Sequence, residues 1–147
     1  MDDLERMIEL RKQGFYCSQI LLLMGLELQG KTNPDLVRSM HGLAHGLGYA
    51  GEICGALTGG ACLLGLYAGK GVPEGPEDPR IDFMVEELVE WFKAEFIPRY
   101  GSIRCEDILT GDPRGQATRC PVLVAESYQK VKELLVENGF DLSGLDL

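Results

Sequence analysis

Apolar residues at Leu4, Met7, Ile8 and Leu10 recur at three-to-four spacing and predict an amphipathic helix that ends near Gly14. From about Tyr16 to Leu28 the chain is apolar on most sides, through Ile20-Leu21-Leu22-Leu23-Met24, so a second, central helix is expected there, closed by Gly30. Asn33-Pro34 sets an N-cap residue before a proline at the first helical position, which starts a third helix through Leu36, Val37 and Met40. Gly42, Gly46 and Gly48 blur its end. The uncharged stretch opened by Gly51-Glu52 reads as a helix to about Tyr67, because its small residues recur four apart and no strand alternation appears. Gly55/Gly59 and Ala56/Gly60 then let another helix approach closely.

Gly69 to Pro79 reads as a surface loop, and Asp78-Pro79 starts the next helix. That helix is expected to turn Phe83, Val85, Leu88, Val89, Trp91 and Phe92 inward and Glu86, Glu87, Glu90 and Lys93 outward, until Pro98 bends or ends it. A short helix over 103–109 and the turn Thr110-Gly111-Asp112-Pro113 follow. The last helix begins at Pro121 and carries Val122, Val124, Ala125, Tyr128, Val131, Leu134 and Leu135 up to Asn138-Gly139, leaving the tail as a loose strap. Every apolar periodicity is helical. The reading is therefore all-α: a compact single-domain helical bundle of about six or seven helices spanning 1–147.

A chain of 147 residues, 45% of them hydrophobic, builds its core without staples, which leaves its cysteines free for chemistry. Its 23 acidic against 14 basic residues give a net charge of −9, which opposes nucleic acid and anionic membrane surfaces. The longest uncharged stretch, Ile53 to Gly69, has 17 residues and falls short of the ~20 that a membrane helix needs. With acids rather than bases at Met1-Asp2-Asp3-Leu4-Glu5, no export signal is read, and a cytoplasmic protein is expected. A homo-oligomer is compatible with all of this.

Five cysteines in a reducing compartment are not a standing disulfide framework, and the odd number leaves one over in any pairing. Cys17, Cys54, Cys105 and Cys120 each fall in the predicted first turn of a different helix, with Cys120 at the N-cap itself and Ser102 placed to cap the helix of Cys105. A first helical turn points unpaired N–H groups and the positive end of the dipole at such a sulfur and favours the thiolate. The four are thus candidate catalytic thiols whose helix starts are expected to converge. Cys62, eight residues after Cys54 on the same helix, is expected to pack among Leu63, Leu64 and Leu66 and to stand outside the site.

The same residues carry a family resemblance. Gly14-Phe15-Tyr16-Cys17, Cys54-Gly55-Ala56-Leu57-Thr58-Gly59, Tyr100-Gly101-Ser102-Ile103-Arg104-Cys105 and Arg119-Cys120-Pro121 resemble the C_GCAxxG_C_C family over about residues 14 to 136. The resemblance implies a small helical prokaryotic protein, redox-active through Cys17, Cys54, Cys105 and Cys120. Cys62 and the two histidines lie outside its pattern.

No Cys-x-x-Cys occurs, so any pairing of thiols is made by the fold. One reading is a thiol-disulfide oxidoreductase or dithiol carrier that works with a redox partner protein or a small thiol. In it Cys54 is the nucleophile and the most acidic thiol, with Thr58 placed to hydrogen-bond it. The second is an iron–sulfur cluster held by Cys17, Cys54, Cys105 and Cys120 for electron transfer or sensing, since four cysteines match that ligand count. Zinc on the same four residues ranks third, because closely spaced cysteine pairs are missing. His41 and His45 stand four apart, the spacing of a two-histidine metal face, but the glycines around them favour loop hydrogen bonding or a general base near the thiols.

Overall fold

The computed structural model describes residues 2–110 and 115–145. Seven helices carry the fold: α1 (Asp3–Lys12), α2 (Cys17–Leu28), α3 (Pro34–Met40), α4 (Gly55–Ala68), α5 (Arg80–Tyr100), α6 (Cys105–Leu109) and α7 (Cys120–Glu137). Among the described residues there is no strand beyond one isolated bridge, Ile53 opposite Arg104, so the fold is all-α as the periodicities require.

Helix α4 lies at the centre because its glycines let three helices close on it. A Cβ on Gly59 would stand 2.8 Å from Ser18 Cα, and one on Gly25 2.1 Å from Leu63 Cδ1, so α2 and α4 meet almost backbone to backbone. Gly60, one residue on, faces the other way, toward Leu88 of α5 and Val131 of α7. Leu21, Leu64, Leu88, Phe92, Val131 and Leu134 fill the shared core with no solvent exposure. Helix α3 packs on α2 through a separate small cluster of Leu22, Leu26, Val37 and Met40. Its last carbonyls, which have no partner inside the helix, are met from α2: Ser18 Oγ donates to Met40 O at 2.8 Å and Gln19 Nε2 to Val37 O at 3.3 Å. That is why a serine and a glutamine sit buried on an otherwise apolar helix.

Several expectations shift. The buried stripe of α5 is Met84, Leu88, Phe92 and Phe96, four apart, which turns Phe83 out to 68% exposure. Pro98 does not end α5. It falls in the last turn, and the helix stops at Gly101 in a left-handed conformation. Leu4, Ile8 and Val122 also face solvent, since only Met7 and Leu10 of α1 and the Leu123/Val124 side of α7 meet the core. The tail is docked rather than loose: Phe140 is buried under the Arg80 guanidinium, and Tyr67 Oη donates to Leu142 O at 2.6 Å. Gly111, Asp112 and Pro113 of the predicted turn, and the last two residues, lie outside the described residues.

Candidate functional site

After a 3-10 turn over His41–Leu43, the segment between α3 and α4 leaves helical geometry. His45, Gly46, Leu47, Gly48 and Gly51 all have positive φ, and the two non-glycine residues among them are held there at a steric cost. This backbone folds 46–54 against the start of α6. Glu52 N donates to Gly46 O at 2.9 Å, Cys54 N to Ile103 O at 2.9 Å, Cys105 N to Glu52 O at 2.6 Å and Glu106 N to Gly51 O at 3.1 Å. Gly46 is obligatory for two reasons. Its φ is +68°, and a Cβ there would lie 2.6 Å from Glu52 N and 2.9 Å from Cys105 Cβ.

This junction sets the starts of α4 and α6 side by side, and with them Cys54 and Cys105. The expected helical start at Gly51-Glu52 is thereby corrected. Gly51, Glu52 and Cys54 are bonded to 103–106, and α4 begins at Gly55 with Cys54 as its N-cap. Cys17 opens α2 with its sulfur against Gly55, where a Cβ would come within 2.5 Å of it. Cys120, expected at the N-cap itself, is the first residue of α7, and the N-cap is Arg119. The cap of α6 is Arg104 rather than Ser102, whose Oγ accepts from Arg104 N at 2.9 Å.

Cys17, Cys105 and Cys120 line one crevice of about 20 Å³, room for roughly one water molecule, together with Arg11, Tyr16 and His45. Cys54 lies behind it, 5% exposed. All four thiols are within electrostatic reach of one another. Each thiolate opposes the next, so the four lose protons one at a time.

The expectation that Cys54 is the most acidic thiol is overturned. Burial drives its pKa up furthest of the four, and the charge of Cys17 adds to this. Cys17 is pushed up to about 12, first by burial and then by Cys120. The first-turn amides do favour the thiolates, Ala56 N–H at Cys54 and Ser18 N–H at Cys17, but desolvation outweighs them. Cys120 is raised by burial and partly rescued by Arg11, whereas Cys105 is raised by burial alone. Thr58, placed by sequence to bond the Cys54 thiolate, does not: its hydroxyl is buried without a hydrogen-bond partner. Cys62 is exposed, not packed among leucines, because its side of α4 faces away from all three partner helices.

The two histidines part company. Helix α3 ends at Met40, so the four-residue spacing places them on no common helix face. His41 lines a groove between α2 and α3, while His45 lines the crevice. The Tyr16 ring touches both, at 5.2 and 4.5 Å between centroids, and Tyr49 stacks on His45 at 4.4 Å. Burial, with the charge of His41, lowers the His45 pKa. Tyr16 and Arg11 escaped the sequence reading. Tyr16 stood beside Cys17 with no chemistry to mark it, and nothing local separates Arg11 from any other cation in a last helical turn.

A cluster or a four-thiolate zinc needs its ligands converging on one point. Among the described residues no three His, Cys, Asp or Glu side chains are arranged to hold a metal ion, and the crevice admits no cluster. As they stand, the four cysteines do not fit either group. The arrangement is that of an all-α protein with Cys17, Cys105 and Cys120 on one crevice and Cys54 buried nearby. The family model described as "Putative redox-active protein (C_GCAxxG_C_C)" matches residues 15–134, and the chain belongs to that family. No curated protein and no solved structure matches the chain. No helix among the described residues is long and apolar enough to cross a membrane.

Proposed function

We propose that the protein is a cytoplasmic thiol/disulfide oxidoreductase in which Cys105 exchanges with the partner's disulfide and Cys120 resolves the product. The observation that supports this is the position of Cys105 and His45. Both line the thiol crevice and also an open cleft of about 290 Å³ edged by Tyr49, Gly51, Glu106 and Gln116. Cys105 thus meets solvent on one side and Cys17 and Cys120 on the other.

In the reaction His45 takes the proton of Cys105, and the thiolate attacks one sulfur of the partner's disulfide. The partner's S–S bond breaks, a mixed disulfide forms on Cys105, and the departing thiolate recovers the proton from His45. Cys120, whose charge Arg11 favours, then attacks the Cys105 sulfur and expels the second partner thiol. Two protein thiols become one disulfide as the partner's disulfide becomes two thiols. Cys17 and Cys54 stand deeper and can take over the oxidation by the same exchange, which frees the outer pair. A redox protein or a small thiol compound is the partner class.

The test uses bis(2-hydroxyethyl) disulfide with Cys120→Ser protein and mass spectrometry. The mixed disulfide is expected on Cys105, and an adduct on Cys54, or none, would remove the basis for these roles. His45→Asn, a residue that tolerates the left-handed backbone, should slow the first step most below pH 7. An optical spectrum with iron and zinc assays of anaerobically purified protein checks the metal alternatives.

A further inference from the structure

Helices α2 and α3 enclose a groove of about 460 Å³ that the thiol chemistry does not use, a volume in the range of small-molecule sites. Its floor is Phe15, Leu23, Leu26 and Val37. At its mouth stand Arg6, Lys31 and Arg38. Arg6 is bonded to Glu27, Nε to Oε1 at 2.9 Å, and to Glu9, Nη1 to Oε1 at 2.8 Å, and Arg38 is bonded to Asp35. Lys31 has no ion pair among the described residues, and it is exposed beside the apolar floor.

A cation with no ion pair, Lys31, set at the edge of an apolar trough, matches one kind of ligand. We propose that this groove binds a small amphipathic anion, an aliphatic chain ending in a carboxylate, with the chain on Leu23, Leu26 and Val37 and the carboxylate at Lys31. The apolar floor supplies the affinity, since burial of each methylene is worth about 0.8 kcal/mol. Lys31 supplies the selectivity, because a neutral chain of equal length gains the floor but not the charge. The inference stands apart from the thiol reading, as none of the four cysteines lines the groove.

The test is calorimetric titration of the full reduced protein with dodecanoate and, as a neutral counterpart, dodecanol. Dodecanoate should bind one to one and roughly tenfold more tightly than dodecanol, an advantage that shrinks as salt is raised. Lys31→Gln should weaken dodecanoate about threefold, and adding Arg38→Gln about tenfold, with dodecanol unchanged. Both side chains are exposed, so neither change threatens the fold. Leu23→Trp, which fills the trough from a half-buried position, should abolish binding of both ligands at an unchanged melting temperature. Equal affinity for the two ligands, no binding, or binding that survives Leu23→Trp would each overturn the proposal. So would sedimentation showing a dimer that Lys31→Glu dissociates, because the occupant would then be a second copy of the chain.

Discussion

Glycines at the two ends of the 46–60 segment do opposite work. Along the α2/α4 seam Gly55 and Gly59 have ordinary helical geometry and are needed only because another helix lies where a Cβ would go. At the junction that carries Cys105, Gly46 and Gly51 are needed first for their left-handed backbone. The seam is dry and closely packed, and the thiols at its end, Cys17 and Cys54, are held protonated by burial. The junction is strained and open to solvent, and the thiol it carries, Cys105, is shifted by burial alone. The contrast teaches that burial outweighs a helix start in setting the acidity of a cysteine, since all four thiols are raised and the two at the seam most. Fixed amides at Cys54 do not offset the loss of solvent.

The largest effect expected of the seam is from Gly59→Ala. A Cβ 2.8 Å from Ser18 Cα meets backbone that cannot rotate away, so denaturant unfolding should show a loss of about 3 kcal/mol. An unchanged midpoint would show that α2 and α4 slide apart easily and would dissolve the contrast with the junction.

Alkaline pH tests the buried thiols together. Cys17 keeps its proton to about 12 when folded and to about 9 when unfolded, so its contribution is complete below pH 9 and is lost as pH rises from 9 to 12. Stability, measured with reductant present, should fall over that window by about 1.4 kcal/mol per pH unit from this thiol, with Cys54 adding to the slope. Cys17→Ala should flatten the decline, and a flat profile in the parent protein would deny that the inner thiols are desolvated.

Alkylation of the reduced protein, followed by mass spectrometry across pH 6 to 10, should label Cys105 before Cys120, and Cys17 and Cys54 last. Preferential labelling of Cys54 would restore the helix start as the dominant influence. Smaller still is the effect at Gly65, a helical glycine with open space where its Cβ would be. Gly65→Ala should add about 0.5 to 1 kcal/mol. Exposed Cys62 marks the floor of the scale: Cys62→Ser should change stability by less than about 0.5 kcal/mol and leave exchange intact.

Local patterning determined a great deal about this protein. Asn33-Pro34 capped α3, the four-residue recurrence at Gly55 and Gly59 announced a close helix contact, and each of the four cysteines fell in or at a first turn, because these features depend on neighbours within one or two turns. The tertiary structure decided the rest. Whether Phe83 or Met84 faced the core hung on one residue's rotation, about 100° of helix, which only the partner helices fix. The irregular backbone at 45–51 runs into bonds from Gly51, Glu52 and Cys54 to 103–106, about fifty residues away, and leaves no periodicity to read. The order of thiol acidity likewise depends on burial and on neighbouring charge from other helices. Those are sums over the whole fold, which no local spacing contains.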